Sequence, residues 1–453
     1  MNVLSETLGV PESGLRLVGS VLAAYPLALV HRWCFWGRSS TSQNIFFAST
    51  GMGLTYWCYG KDIIHSFICT LTQWAFLKFL GDSRHCLPLS FAFQFGYLLW
   101  GYKQTESEDY DICWTMTGCI MCLRLIGLAY DRYDGNKSDD KIRKDQKERA
   151  LKESPSLLEV FGFSYSFMGL TVGPQYPMSL YRQLVDGELT EEKGKKPKTV
   201  KKAIAVALTG VVLMGLNEVL KMYFPMSFLE TDTFLTEWPY LKRMGYISLA
   251  GMAHMHKYIS IWTLGNGALI LTGMGYVKKE DGKTNWNALA NIKIGQYMRA
   301  LSYGDMIKSF NANTNDWVAR YIYKRCIWIG NRNISQAAVL GFLAIWHGYH
   351  LCYFIMFALE YFVVNGEKEI FKFTASSKLV QSLPQSVRNA FSYIYISATW
   401  GFVIIEFSLL VKHKFMPVWS SIYYSHFIFW LVTYFGLGTY NRLSAPRSRQ
   451  KTE

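Results

Sequence analysis

Residues 334–364 read ISQAAVLGFLAIWHGYHLCYFIMFALEYFVV, the longest apolar stretch in the chain. At about 30 residues it exceeds the ~20 that cross a hydrocarbon core as a helix, so a helix here must tilt, bend or extend beyond the bilayer. Trp346-His347-Gly348 interrupts the run near its middle. His347 lies about 13 residues from one end, roughly 20 Å along a helix rising about 1.5 Å per residue, which is mid-membrane depth. An ionisable group there is costly to expose to lipid and is expected to face the protein interior or a water-filled cavity. A few dozen residues upstream stands SFNANTNDW, residues 309–317, an amide-rich loop able to reach it.

The rest of the chain agrees with a membrane setting. Of 453 residues, 50% are apolar, 16% aromatic and only 18% charged, less charge than a soluble domain of this size carries. Hydropathy places further spans at about 15–31, 44–60, 62–80, 86–102, 111–130, 203–224, 240–262, 263–277, 388–411 and 417–439. With 334–364 these make about 11, an all-α polytopic membrane protein forming a single domain over residues 1–453. Residues 131–153 mix charges closely, as a solvated helix or loop would. Residues 155–182 carry Gly162, Gly169, Gly173-Pro174 and Pro177, and fit a re-entrant or broken segment buried in protein.

The formal charge of +14 gathers at 193–202, 308–332 and 442–451. Such clusters mark cytosolic loops and anionic headgroups, and no soluble module is visible to turn them toward nucleic acid. Nine cysteines are scattered in or beside apolar segments, and the single CxxC, Cys119 to Cys122, has no second pair to complete a zinc site.

Four groups of residues could carry chemistry. His347, near the ordinary imidazole pKa of about 6.5, is a natural proton acceptor for an alcohol nucleophile; the alternative is a core histidine satisfied by a backbone carbonyl. Asn311 can donate to a developing oxyanion or accept from a hydroxyl, with Asn313 and Asn315 as competitors; such clusters also simply cap and turn the backbone. Trp346 and His350 flank the histidine, His350 one turn on along the expected helix. Residues 316–330 read as an amphipathic helix whose Trp317, Arg320, Tyr321, Lys324 and Arg325 share a basic, aromatic side, suited to lipid headgroups or to the phosphates and adenine of coenzyme A. Arg124, Glu218, Glu406, His254 and His256 read as structural.

With these residues in view the chain resembles the membrane-bound O-acyltransferases, and among them lysophosphatidylcholine acyltransferases that prefer polyunsaturated acyl chains. The matching stretches are Tyr110-Asp111-Ile112, Leu125-Ile126-Gly127-Leu128, Pro155 to Val160 with Gly162-Phe163-Ser164-Tyr165, Val172-Gly173-Pro174-Gln175, Phe310-Asn311 through Asn315, Trp317 to Ile322 with Lys324-Arg325, and Trp346-His347-Gly348. The resemblance implies about eleven spans around a chamber in the bilayer, with His347 and Asn311 catalytic. It implies transfer of an acyl group from acyl-CoA to the sn-2 hydroxyl of a lysophospholipid, in the endoplasmic reticulum membrane, with no metal and acyl-CoA as co-substrate only. Lysophospholipids and membrane lipids are the expected partners, and a homodimer is compatible with the family. The family's dilysine ending is reduced here to Lys451.

Other acceptors within the superfamily are lysophosphatidylinositol, lysophosphatidylserine, sterols, diacylglycerol or a protein. A di-iron desaturase would need about eight clustered histidines, whereas the nine here are dispersed. A transporter would show paired repeats or ionisable residues along a pathway.

Overall fold

The computed structural model describes residues 5–7, 9–108, 111–278 and 284–444. Tyr110 and the 449–453 tail lie outside them. The described residues are helical almost throughout, with one two-stranded antiparallel ribbon among them pairing Val277 with Asn285. The N-terminal half runs through α1 (Glu12–Val30), α2 (Ser40–Tyr59), α3 (Ile63–Leu80), α4 (Cys86–Gln104) and α5 (Trp114–Gly135). Two short helices follow, α6 (Leu157–Tyr165) and α7 (Met178–Val185), and then α8 (Val200–Tyr223) and α9 (Tyr240–Thr272). The polar segment beyond contributes α10 (Tyr303–Ser309) and α11 (Ala312–Val318), before α12 (Arg332–His347), α13 (Leu351–Ser376) and α14 (Gln385–Thr399).

Among the described residues, four helical stretches, Glu12–Phe35, Ser40–Leu80, Val200–Glu230 and Gln385–Leu409, are long and apolar enough to cross a membrane. Their outward faces are apolar. On α8, Leu208, Val211, Val212 and Met222 are all exposed, Met222 to 80%, which suits lipid and not water.

Two expected spans prove to be one helix, and two others are divided, 334–364 at Gly348 and 417–439 at Tyr423-Tyr424, where φ is 57° and 52°. Residues 240–262 and 263–277 form the single helix α9, because its glycines serve close approach and do not break it. A Cβ on Gly267 would lie 2.2 Å from the Tyr25 hydroxyl, and Tyr25 donates to the Leu264 carbonyl at 2.6 Å. The helix ends at Gly273, in the left-handed conformation that closes helices. The long run 334–364, in contrast, divides into α12 and α13 at Gly348, whose φ of 127° is open to glycine alone.

The 155–182 segment is broken and buried, as its composition suggests. Arg124, fully buried on α5, organises it, donating to the carbonyls of Phe163, Ser164, Gly169 and Pro174 at 3.0–3.4 Å with its guanidinium over the Tyr176 ring. Backbone carbonyls of an irregular segment need donors when water is excluded, and one arginine supplies four. The 131–153 stretch departs from a simple solvated loop. α5 continues to Gly135, burying Asp131 and Asp134 against the segment that follows α11.

Candidate active site

α12 delivers His347 at its last residue, not in mid-helix. The ring Nδ1 lies 2.7 Å from the Leu343 carbonyl oxygen one turn back. A carbonyl only accepts, so Nδ1 carries the hydrogen and Nε2 keeps its lone pair. Among the described residues Nε2 has no hydrogen-bond partner. Aromatic rings hold the imidazole edge and face: Trp346 at 4.6 Å, Phe357 at 5.2 Å, Tyr353 at 5.5 Å and Phe407 at 5.6 Å between centroids. The helix end is itself tied down, since Tyr102 donates to the Trp346 carbonyl at 3.0 Å and the Trp346 indole donates to the Cys119 carbonyl at 3.1 Å.

The asparagine-rich loop is pinned at both ends, by Lys293 N donating to the Ser309 carbonyl at 2.9 Å and Ala312 N donating to the Asn291 carbonyl at 2.8 Å. The three asparagines then differ. Asn313 spends its whole amide on the backbone of Gln175, accepting from its N–H and donating to its carbonyl. Asn315 donates to the carbonyls of Ile307 and Phe310. Asn311 stands at the head of α11 with φ 48°, a left-handed conformation that asparagine tolerates better than most residues. Its side chain makes no hydrogen bond among the described residues.

Asn311, Asn315, Trp346 and His347 all line one cavity of about 600 Å³. Most of its wall is apolar or aromatic. The sequence reading passed over other polar groups on it, among them Gln175, Lys257, Asn291 and Glu360, and it assigned Glu218 to structure alone. Only contact across distant segments reveals them, because each sits in an otherwise ordinary apolar or loop stretch.

His350 is not on this wall. The bend at Gly348 carries it to the start of α13, beside Tyr353 at 6.1 Å, so it does not share the face of His347. The five residues expected to hold coenzyme A lie outside the cavity too, and are largely engaged with protein. Trp317 and Tyr321 are 5% and 4% exposed. Trp317 stacks on Phe342, and Tyr321 donates to Asp131 at 2.8 Å. Arg325 grips Asp134 with two nitrogens, Arg320 pairs with Asp316 at 2.7 Å, and Lys324 with Asp145 at 3.1 Å. The stretch is helical from Ala312 to Ile329, but its winding changes through a π-turn at Ala319–Tyr323 and a tight turn at Ile327–Ile329. Its basic, aromatic side faces the end of α5, so packing and ion pairing consume the groups that a wheel diagram presents as free.

Residues 99–408 match the model of the membrane-bound O-acyltransferase family. The chain belongs to that family. It is therefore an acyltransferase enzyme of the membrane. Lysophospholipid acyltransferase 5 of Mus musculus is 35% identical over 99% of this chain and 93% of its own length. The protein of the same name from Drosophila melanogaster is 36% identical over 99% of this chain and 92% of its own. Lysophospholipid acyltransferase 2 of Arabidopsis thaliana is 25% identical over 94% of this chain and 93% of its own. In this membrane-bound O-acyltransferase the matched stretch contains the whole asparagine-rich loop and His347.

Proposed function

We propose that this chain moves a fatty acyl group, polyunsaturated by preference, from acyl-CoA to the sn-2 hydroxyl of lysophosphatidylcholine and related lysophospholipids. It does so in the endoplasmic reticulum membrane, through about eleven helical passes around a chamber within the bilayer. The observation that carries the reading is His347, with Nδ1 spent on Leu343 and Nε2 unspent, on the same cavity wall as Asn311, the asparagine of the 309–315 loop whose amide is unspent.

Nε2 of His347 takes the proton of the glycerol hydroxyl as its oxygen attacks the thioester carbon. Asn311 donates its amide hydrogen to the oxyanion that forms. The tetrahedral intermediate collapses with cleavage of the C–S bond, and the coenzyme A thiolate takes the proton back from the imidazolium. A thioester is already activated, so alignment of two lipidic substrates beside one base accounts for the step. The apolar wall holds the acyl tail and limits water, the competing nucleophile. Arg320 and Lys324, though paired with Asp316 and Asp145, keep partial exposure on the polar face, and the phosphates of coenzyme A compete for them as it enters.

An acyl-CoA assay on purified protein with a panel of lysophospholipids tests this. Transfer to lysophosphatidylcholine, fastest with polyunsaturated donors, is the expected result. Exclusive use of another acceptor, such as lysophosphatidylinositol, a sterol or a protein, would overturn the acceptor assignment. Substrate flux without acyl-CoA consumption would overturn the reaction.

A further inference from the structure

Glu360 is the one acidic side chain on the part of the cavity wall that α13 supplies, and nothing in the steps above uses it. Among the described residues no hydrogen bond or ion pair engages its carboxyl. A carboxyl at this depth is costly to leave unpartnered, so its retention on a cavity wall calls for a ligand group that hydrogen-bonds to it.

Its place along α13 narrows what that group is. Met356, Phe357, Glu360 and Val363 all line the cavity, a stripe at helical spacing. Phe357 at one end lies against the His347 ring, 5.2 Å between centroids. Toward the other end, Glu367 accepts from the Tyr303 N–H at 2.8 Å, which joins α13 to the start of α10. α10 leads into the asparagine loop and α11, and that region is linked to the charged 139–153 stretch by Arg149–Asp316 at 3.6 Å and Lys324–Asp145 at 3.1 Å. Glu360 therefore lies about one helical turn, ~4.5 Å of axial rise, from Phe357 in the direction of the polar face. A water-soluble polyanion enters from that face. Val10, Gly14 and Ile112, also on the wall, lie at or just before the starts of α1 and α5, whereas α5 meets the polar segment at its other end, through Asp131 and Asp134.

We propose that Glu360 binds the donor, its carboxyl oxygen accepting a hydrogen bond from the cysteamine amide N–H of the pantetheine arm and thereby setting the thioester against His347. That amide stands two methylenes from the thioester sulfur, which matches a single helical turn between the catalytic ring and the carboxyl. Tyr303 and Trp400 line the same cavity and offer the arm an aromatic wall, along which the Glu360 carboxyl fixes its depth. The inference rests on the acyl-CoA reading given above.

Steady-state kinetics on the purified full chain test it, varying acyl-CoA and lysophosphatidylcholine separately. Glu360→Leu is expected to raise KM for acyl-CoA about 10-fold, the loss of one hydrogen bond of ~1.4 kcal/mol, and to leave KM for lysophosphatidylcholine unchanged. Glu360→Gln, which keeps a carbonyl acceptor and the same shape, is expected to fall between and guards against a folding defect in the leucine variant. An acyl-CoA whose cysteamine amide is replaced by an ester should be a poorer donor for the wild type by a similar factor. The leucine variant should use the two donors equally well.

A raised KM for lysophosphatidylcholine alone would overturn the proposal and hand the carboxyl to the acceptor's ammonium group. Unchanged KM values, or amide discrimination that persists in the leucine variant, would overturn it outright. A wild type that transfers no acyl group to any lysophospholipid would instead remove the reading beneath it, so the two failures are distinct.

Discussion

The loop at 309–315 and the helix at 317–325 adjoin in sequence and look equally suited to ligands, one rich in amides and the other in cations and aromatic rings. The structure treats them in opposite ways. In the helix nearly every polar group is spent: Tyr321 on Asp131, Arg325 on Asp134, Lys324 on Asp145. In the loop two amides are spent and one, Asn311, faces the cavity unspent. Residue type suggests what a side chain could do, and its remaining hydrogen-bonding capacity decides what it is available to do.

Substitutions that separate the two kinds of residue sharpen this contrast. Asn311→Ala should cost about 10²- to 10³-fold in kcat with the melting temperature unchanged, as expected for loss of an oriented oxyanion donor. Turnover equal to wild type would transfer the role to a neighbour. Arg325→Met leaves the Asp134 carboxylate buried without its partner, and should lower stability by about 3 kcal/mol, read as a fall in melting temperature in detergent. KM for acyl-CoA per folded molecule should stay unchanged. A large rise in that KM without destabilisation would restore the ligand role that the sequence suggests for this helix.

Asn313→Ala removes both hydrogen bonds to Gln175 and should destabilise by about 1–3 kcal/mol, with activity falling only in step with folded protein. Lys324→Ala should have the smallest effect, under about 1 kcal/mol for a half-exposed pair. Its pH dependence is diagnostic. Burial raises the Asp145 pKa, but hydrogen bonds from Arg143 and Lys324 outweigh this and hold it at about 2. A depressed carboxylate stabilises the fold above its unfolded pKa of about 3.9 and loses that contribution as pH falls toward about 2. The melting-temperature difference between wild type and Lys324→Ala should therefore be constant near neutrality and shrink below about pH 4. A difference that grows on acidification would contradict the pairing.

Much of the fold could be read from hydropathy, because a helix that crosses lipid must be apolar over a fixed length. The breaks could not. Gly267 looks like an interruption, yet it is a site of close packing in α9. Gly348 looks harmless, yet its φ of 127° ends α12. Glycine serves both purposes, and only the neighbours tell them apart. The site was legible where one residue sufficed, as with His347 and the loop that holds Asn311. It was not legible where contact decides: His350 was turned away by the bend, the 317–325 side was claimed by the buried aspartates of α5, and Glu360 was lost in an apolar run until α13 set it on the cavity wall.

The central claim is that the unspent Nε2 of one imidazole takes the acceptor's proton. The most direct measurement is the rate of acyl transfer from acyl-CoA to lysophosphatidylcholine by purified His347→Ala beside wild type, with the melting temperature of each recorded. Near-complete loss of transfer in a protein that melts like the wild type is the predicted result. A correctly folded His347→Ala that retains wild-type turnover would contradict it.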